Sequence, residues 1–278
     1  PSVDFCVTGE GEIVLPDLIQ KYKEVGLDFS KYSTVEGLVY IDESGCLVNT
    51  GYAKSMHQED LYDVDYSDLG SSANHYIPRM FDATGKVVLS GFEHDERVYQ
   101  PHRRNQRFFQ FIVGKGCVAK CTFCHRWDKG IRHIPVKILM ERLDELIGMY
   151  DVGFINPQIE AFGCDKEWLF EFCREIKKRD ILWMVGAVRA KSMSKELLSL
   201  MAQAGCVSVI YGLETGSPKI LEIMDKRTSL EENINAITKT VEEGYFSAMV
   251  QLVIGMPGET KQTIDETSKF SQFCMTQS

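Results

Sequence analysis

Phe108-Phe-Gln-Phe-Ile-Val-Gly-Lys-Gly-Cys-Val-Ala-Lys-Cys-Thr-Phe-Cys-His125 is the stretch that decides the fold of this 278-residue chain. It opens with an apolar run typical of a buried strand, and three cysteines follow within eight residues: Cys117, Cys121 and Cys124. Three thiolates are one too few for a closed four-cysteine site, whereas a cubane iron–sulfur cluster held by three cysteines leaves one iron open. The sequence therefore predicts a metal site with a free position.

The bulk composition excludes several classes of protein. Hydrophobic residues make up 44% of the chain, which is ordinary for a globular protein with a sizeable core. The net charge of −9 argues against a generic nucleic-acid-binding or anionic-membrane surface. No apolar run approaches the roughly 18–20 residues of a membrane helix, so we expect no membrane span.

The cysteine usage points to metal chemistry in a reducing, cytoplasmic setting. Nine cysteines are an odd number, and the tight trio favours metal binding over a disulfide framework. The other six lie mostly in apolar stretches, where we expect a free cysteine to behave as a small buried hydrophobe: Cys6, Cys46, Cys164, Cys173, Cys206 and Cys274.

From Arg107 onward, apolar strand-like runs alternate with amphipathic helical patterns. The predicted strands are Phe108–Val113, Val152–Ile155, Ile181–Val188, Val207–Gly212 and Ala248–Ile254. The predicted helices are Pro135–Met149, Lys166–Lys178, Ser194–Ala204, Leu230–Glu243 and Lys261–Cys274, and Ser229 with Glu232 forms a capping-box pattern. Strands that are apolar at nearly every residue and separated by helices indicate a parallel sheet buried on both faces, and hence an α/β fold.

Several polar or glycine-rich segments directly follow the predicted strands. In parallel α/β folds the chemistry lies at the carboxyl ends of the strands. The cysteine loop (residues 116–125), Arg189, Glu214 and the Gly255-Met-Pro-Gly-Glu259 turn all occupy that position. Gly114 and Gly116 suit the irregular backbone that lets three sulfurs reach three corners of one cube.

The spacing Cys-x3-Cys-x2-Cys, placed after the first strand of a βα series, resembles the radical S-adenosylmethionine (SAM) superfamily, and Phe123 fits the aromatic that usually precedes its third cysteine. Tyr211–Lys226 and Val253–Glu259 resemble the fourth- and fifth-strand segments of the cobalamin-dependent members. The opening Val7-Thr-Gly-Glu-Gly-Glu12 is similar to the end of the cobalamin-binding Rossmann-like domain that precedes the barrel there.

The resemblance implies a partial (β/α)6 barrel behind the tail of a cobalamin-binding domain, with three parts. Residues 1–36 are expected to be the C-terminal end of that domain, and residues 37–105 a linker whose hairpin turns at Asp42–Gly45. Residues 106–278 are expected to be the radical SAM core, incomplete because it shows five strands where relatives have about six.

The resemblance also implies the cofactors and their ligands. Cys117, Cys121 and Cys124 are expected to hold a [4Fe–4S] cluster whose open iron binds the amino and carboxylate groups of SAM. One electron then breaks a C–S bond and releases a 5′-deoxyadenosyl radical. Further contacts to SAM are expected from the Phe123 backbone, Glu160, Arg189, Glu214 and the Gly255, Pro257 and Gly258 turn.

Several of these residues also have a purely structural interpretation, and the Gly255–Gly258 turn is also typical of a simple strand-to-helix turn. Arg189 is equally typical of a solvated loop charge, and Glu214 of a cap on a helix that opens at Ser217. His125 is expected at the surface and Trp127 in packing. The basic cluster His102, Arg103, Arg104 and Arg107 is expected to be a solvated strand entrance rather than an anion site.

The leading functional hypothesis is a cobalamin-dependent radical SAM enzyme, either a methyltransferase acting on an unactivated carbon or a cyclase. Its partners are expected to be a small-molecule substrate and an external electron donor such as a flavodoxin or ferredoxin. The alternatives are a radical SAM enzyme without functional cobalamin binding, a structural zinc module on Cys117, Cys121, Cys124 and His125, and a small iron–sulfur electron carrier.

Overall fold

The computed structural model describes residues 3–125, 130–243 and 246–277. The chain divides into two compact units, Pro1–Leu61 and Tyr62–Ser278. Among the described residues, no helix combines the length and apolarity that crossing a membrane requires. Trp127, for which packing was expected, lies outside the described residues.

The first unit is a three-stranded antiparallel sheet with one long helix. Its strands are β1 (Phe5–Val7), β2 (Leu38–Ile41) and β3 (Leu47–Asn49), with β2 in the middle, and its helix is α1 (Gly11–Val25). The predicted hairpin is confirmed, because the Asp42 carboxylate accepts hydrogen bonds from the backbone of Ser44 and Cys46 and so closes the turn.

The second unit contains a parallel sheet of five strands in the order β10-β9-β8-β7-β4. The strands are β4 (Arg107–Ile112), β7 (Val152–Gln158), β8 (Leu182–Val188), β9 (Cys206–Glu214) and β10 (Ser247–Leu252), and a two-stranded ribbon of β5 (Gly114–Lys115) and β6 (Arg132–His133) follows β4. All five predicted strands of the parallel sheet are confirmed, within three residues at each end.

The connecting helices cover one face of this sheet. They are α3 (Val136–Tyr150), α4 (Lys166–Ile176), α5 (Lys195–Gln203), α6 (Pro218–Ile223), α7 (Leu230–Glu243) and α8 (Lys261–Gln277), and the short α2 (Ala73–Tyr76) precedes the sheet. Trp183 packs against Phe172 of α4, and the Tyr211 hydroxyl hydrogen-bonds to Thr240 of α7. The five predicted helices are therefore confirmed as α3, α4, α5, α7 and α8, and they lie on the outer face of the sheet.

The inner face of the sheet is closed at the amino ends of its strands by the segment before β4. Met80, Val87, Phe92 and Val98 form one buried cluster with strand residues that include Phe108, Phe154 and Met184. We call residues 80–98 the plug. The apolar side chains of the plug fill the inner face at the amino ends of the strands. The open end of the inner face therefore lies at the carboxyl ends of the strands.

Two expectations about individual residues are wrong. Arg103 is not solvated, because it packs against the sheet and is only 1% exposed. Its guanidinium pairs with the Asp180 carboxylate instead of with water. Of the six cysteines outside the cysteine loop, only Cys173 and Cys206 are buried. Three are exposed because they lie on an edge strand, in a hairpin turn or in the segment before α4, where the chain is open to solvent: Cys6, Cys46 and Cys164.

Candidate functional site

The cysteine loop lies at the carboxyl end of β4, where the sequence places it. The Cys117 thiol is half-buried, Cys121 is buried and Cys124 is exposed. The Ala119 backbone N–H donates to Cys117 Sγ at 3.4 Å, and the Cys124 N–H donates to the Cys121 carbonyl at 3.2 Å. The three sulfurs are therefore carried on a tight turn whose backbone is itself hydrogen-bonded.

Glu160 anchors the start of this loop. Its Oε2 accepts a 2.7 Å hydrogen bond from the Gly116 backbone N–H, directly before Cys117. Gly116 has φ +94°, a region that side chains disfavour, so a glycine is required at this bend. The sequence resemblance implies that Glu160 contacts SAM. In the structure one of its carboxylate oxygens binds the loop, and the other makes no hydrogen bond to any described residue.

The far side of the loop is anchored on the end of α6. The Thr122 N–H donates to the Met224 carbonyl at 2.9 Å, and its hydroxyl donates to the Ile223 carbonyl at 2.8 Å. The last carbonyls of a helix have no partner within the helix, so they are natural acceptors for an incoming loop. A segment after β9 thus fixes a loop after β4.

Arg189, at the end of β8, reaches the middle of the loop. Its Nη1 donates to Cys121 Sγ at 3.7 Å, and its Nη2 donates to the Lys226 carbonyl. The interpretation of Arg189 as a solvated loop charge is therefore wrong. Arg189 therefore joins the end of β8 to the cysteine loop and to the segment after α6.

Glu214, the last residue of β9, is buried and paired with Lys226. Lys226 Nζ lies 2.5 Å from Glu214 Oε1, and the two side chains are 9% and 10% exposed. Lys226 Nζ also lies 5.8 Å from the centre of the Phe123 ring, within cation–π range. Glu214 therefore does not cap the helix at Ser217, and its carboxylate is joined through Lys226 to the cysteine loop.

The Gly255–Glu259 turn follows β10 and borders the same helix. Glu259 accepts a 2.5 Å hydrogen bond from the Gly255 N–H, and Lys219 of α6 donates to the Gly258 carbonyl at 3.1 Å. Gly255 has φ +103° and Gly258 has φ +85°, so both positions favour glycine. Gly255, Pro257 and Gly258 are exposed, so backbone groups of this turn are accessible to a ligand.

The donor set fits a cluster with an open iron. One loop brings Cys117, Cys121 and Cys124 to the carboxyl end of β4, and a cubane binds each cysteine through a different iron and leaves the fourth iron open. Within residues 3–125, 130–243 and 246–277, no three His, Cys, Asp or Glu side chains converge on a single point.

Sequence reasoning missed Lys226 and four amide side chains on the inner face of the sheet. Lys226 follows a short helix in a polar run, and nothing local distinguishes it from a surface lysine. The amides could have been found from the sequence, because each is a polar residue within an otherwise apolar parallel strand: Gln110, Asn156, Gln158 and Gln251.

Comparison with known proteins agrees with this geometry. The chain is 26% identical over 277 residues to the anaerobic magnesium-protoporphyrin IX monomethyl ester cyclase of Rubrivivax gelatinosus, and the match covers 98% of this chain and 45% of the cyclase. The chain thus spans less than half the length of that relative.

Two solved structures show the same fold. The cobalamin-dependent S-adenosylmethionine radical enzyme OxsB, with aqua-cobalamin and S-adenosylmethionine bound, matches with a TM-score of 0.71 and 20% identity over 96% of this chain and 35% of its own. The radical S-adenosylmethionine methyltransferase TsrM from Kitasatospora setae, with cobalamin and a [4Fe-4S] cluster bound, matches with a TM-score of 0.66 and 17% identity over 98% and 49%. The five-stranded sheet is therefore a partial barrel of this type.

The family model of the Radical SAM superfamily matches residues 111–271, which include the whole cysteine loop, four of the five parallel strands in full and the turn after β10. Because this match covers more than half of the chain and contains the three cysteines at the expected end of the sheet, the chain belongs to the radical SAM superfamily.

Proposed function

We propose that this chain is the catalytic core of a cobalamin-dependent radical SAM enzyme. The observation that carries the proposal is the cysteine loop at the open end of the sheet, held by Glu160 on one side and by the end of α6 on the other. Cys117, Cys121 and Cys124 would hold a [4Fe–4S] cluster, which together with SAM and one electron supplies a 5′-deoxyadenosyl radical.

The residues around the loop would position SAM. Glu160 and Glu214 each have one carboxylate oxygen bonded to the protein and a second for the methionine amino group or the ribose hydroxyls. Arg189 would pair with the methionine carboxylate while its guanidinium holds Cys121, because five N–H donors serve more than two acceptors.

The aromatic and glycine positions would accommodate the adenosine. Phe123 would present its backbone to the adenine while its ring rests against Lys226. The exposed backbone of Gly255, Pro257 and Gly258 would lie along the adenosine, because a turn without bulky side chains permits close approach. These chain groups would thus hold the adenosine part of SAM beside the cysteine loop.

Cobalamin dependence is proposed from the relatives, since OxsB and TsrM both bind cobalamin. We propose that residues 1–36 end a cobalamin-binding domain, that residues 37–105 link it to the core and that residues 106–278 form the core. The reaction is proposed to be methyl transfer, as in TsrM, or ring formation, as in the Rubrivivax cyclase, on a small-molecule substrate.

An external electron donor such as a flavodoxin or ferredoxin is proposed to reduce the cluster, because the described chain carries no second set of clustered cysteines. None of the nine cysteines, all of them described, forms a disulfide. A thiolate-held cluster with free thiols around it suits a reducing compartment, and we propose the cytoplasm.

Anaerobic reconstitution with iron and sulfide tests this proposal. We expect a brown protein that binds about four irons, an electron paramagnetic resonance spectrum that changes when SAM is added, and 5′-deoxyadenosine after reduction. Cys124→Ala should lose the cluster, whereas the matched control Cys46→Ala, an exposed cysteine in the first unit, should retain it. Stoichiometric zinc without a response to SAM would overturn the proposal, and hydroxocobalamin titration tests the cobalamin part separately.

A further inference from the structure

The inner face of the parallel sheet changes from apolar to polar along its strands. Near the amino ends, Phe108, Phe154 and Met184 pack against the plug. Toward the carboxyl ends, the register pairs Gln110 with Asn156, which places both side chains on the face that Phe108 and Phe154 share. The same alternation puts two further amides on that face, Gln158 of β7 and Gln251 of β10.

The two strands between these amides contribute almost no side chain at this level. Gly186 of β8 and Gly212 of β9 lie on the inner face, because Gly186 follows the inner-face residue Met184 by two positions and Gly212 follows Ser208, the partner of Met184, by four. A Cβ built on Gly186 would meet nothing closer than Ile210 at 3.9 Å. Gly186 therefore leaves an open space between the amides of the outer strands, and the Glu214 and Lys226 side chains border it at Gly212.

These amides lack protein partners. In the ranges that the structure describes, none of the side chains of Gln110, Asn156, Gln158 and Gln251 takes part in a hydrogen bond, and Asn156 Oδ1 is buried from water. A buried polar atom without a partner costs stability, so it requires an explanation in a folded protein. An apolar residue at position 156 would continue the strand without that cost, which indicates that Asn156 serves a ligand. Gln110, Gln158 and Gln251 are accessible from solvent and extend the same polar face.

The charges at this level are already paired. The Glu214 carboxylate and the Lys226 ammonium reach Gly212, where a Cβ would lie 2.8 Å and 3.4 Å from them, and they bind each other. Apart from Glu214, which Lys226 neutralises, the inner-face positions of the five parallel strands carry no charged side chain. A charged ligand group would therefore be desolvated here without a free counter-ion, whereas a neutral group loses little.

We propose that Gln110, Asn156, Gln158 and Gln251 form a binding site, here called the amide site, for a ligand that carries carboxamide groups. An amide side chain offers a donor and an acceptor side by side, and a carboxamide is the neutral group that complements both. The inference rests on the proposed function, because the amide site opens toward the cysteine loop. Carboxamides could come from the periphery of the corrin ring or from the substrate, and the chemistry of recognition is the same.

Titration with three small probes tests the chemical class. In ¹⁵N-labelled, anaerobically reconstituted protein, acetamide, acetate and methylammonium are added separately at constant ionic strength while side-chain NH2 signals are followed. We expect acetamide to give saturable shifts at Asn156 and Gln158 and none at Gln203, an amide on the outer helix α5. Equal shifts by acetate or methylammonium, or shifts that do not saturate, would overturn the proposal.

Variants link the shifts to the site. Asn156→Leu should abolish the acetamide response of Gln158, whereas Gln203→Leu should leave it unchanged. Should Asn156→Leu fail to fold, Gln110→Leu on the edge strand β4 provides the same test, because Gln110 pairs directly with Asn156, and loss of the response is expected at Asn156. A response that persists in both inner-face variants would refute the assignment.

A second titration identifies the source of the carboxamide. Hydroxocobalamin that shifts the same signals and blocks acetamide assigns the site to the corrin side chains, whereas hydroxocobalamin that binds without affecting them assigns it to the substrate. The measurement requires no turnover, and repeating it in Cys124→Ala separates the amide site from the radical chemistry. Shifts that survive there support the amide site even where the proposed function fails.

Discussion

At the residue scale, the buried Glu214–Lys226 pair organises the site. Glu214 has φ +66°, a left-handed conformation that costs energy for a residue with a side chain and that persists only where surrounding contacts impose it. Its partner Lys226 contributes a carbonyl to Arg189 and a cation to the Phe123 ring. One lysine therefore connects β8, β9 and the cysteine loop.

Lys226→Met should lower the free energy of unfolding by about 3 kcal/mol or more, because it leaves the Glu214 charge buried without a partner. The double variant Glu214→Gln/Lys226→Met should recover much of that loss, since neither charge then remains. Urea denaturation measures both changes.

Lys195→Met is the matched control, because Lys195 forms an ion pair with Glu242 in which both side chains are more than half exposed. Its loss should cost less than about 1 kcal/mol. Equal losses for Lys226→Met and Lys195→Met would show that burial of the Glu214 pair has no energetic weight.

At the element scale, helix ends position the site. The end of α6 accepts two hydrogen bonds from Thr122, and α7 begins with the capping box that the sequence predicts. In that box the Glu232 N–H donates to Ser229 Oγ at 3.1 Å, and the Ser229 N–H donates to Glu232 Oε2 at 2.7 Å. Since α7 packs on β10, its start helps set where the last strand of the sheet lies.

Ser229→Ala should destabilise the protein by about 1 kcal/mol, because an N-terminal donor of α7 loses its acceptor. Asn235→Ala, an exposed position inside the same helix, should stabilise by about 0.5 kcal/mol because alanine has the higher helix propensity. Thermal or urea unfolding of the two variants gives the comparison. A destabilising effect of the same size at both positions would rule out the cap as its cause.

At the scale of the whole molecule, the open end of the sheet is built from segments distant in sequence. His133, in the ribbon after the cysteine loop, stacks on Trp168 of α4 with ring centroids 4.5 Å apart, and Trp168 Nε1 donates to the Ile134 carbonyl. Burial lowers the pKa of His133, and the Asp165 carboxylate opposes this only in part. The neutral imidazole is therefore the form that the fold accommodates.

Stability should fall as the pH drops through about 6.5, the ordinary pKa of histidine in the unfolded chain. Below that value the unfolded chain binds a proton that the folded His133 resists, so protonation favours unfolding. Urea midpoints at pH 7.5 and 5.5 measure the effect. His133→Phe, which keeps a ring against Trp168, should reduce the pH dependence, while His75→Gln, at an exposed position, should not. An unchanged slope in His133→Phe would exclude His133 as the source.

Much of the fold could be predicted from local patterns in the sequence. Apolar runs and helical periodicity depend on neighbours two to four positions apart, so the five parallel strands and the helices between them could be read from the chain, as could the capping box at Ser229. The three-cysteine spacing likewise predicted the metal site, because the ligands of one loop are close in sequence.

The sequence by itself determined a βα series with a three-cysteine loop at the carboxyl end of its first strand. Only the tertiary structure decided that Glu214 meets Lys226, that Arg103 is buried, and that Gln110 and Asn156 face one open space. The physical reason is that these contacts depend on strand register and on how loops from different strands converge at one end of a sheet. Neither is encoded within the few residues over which local periodicity acts.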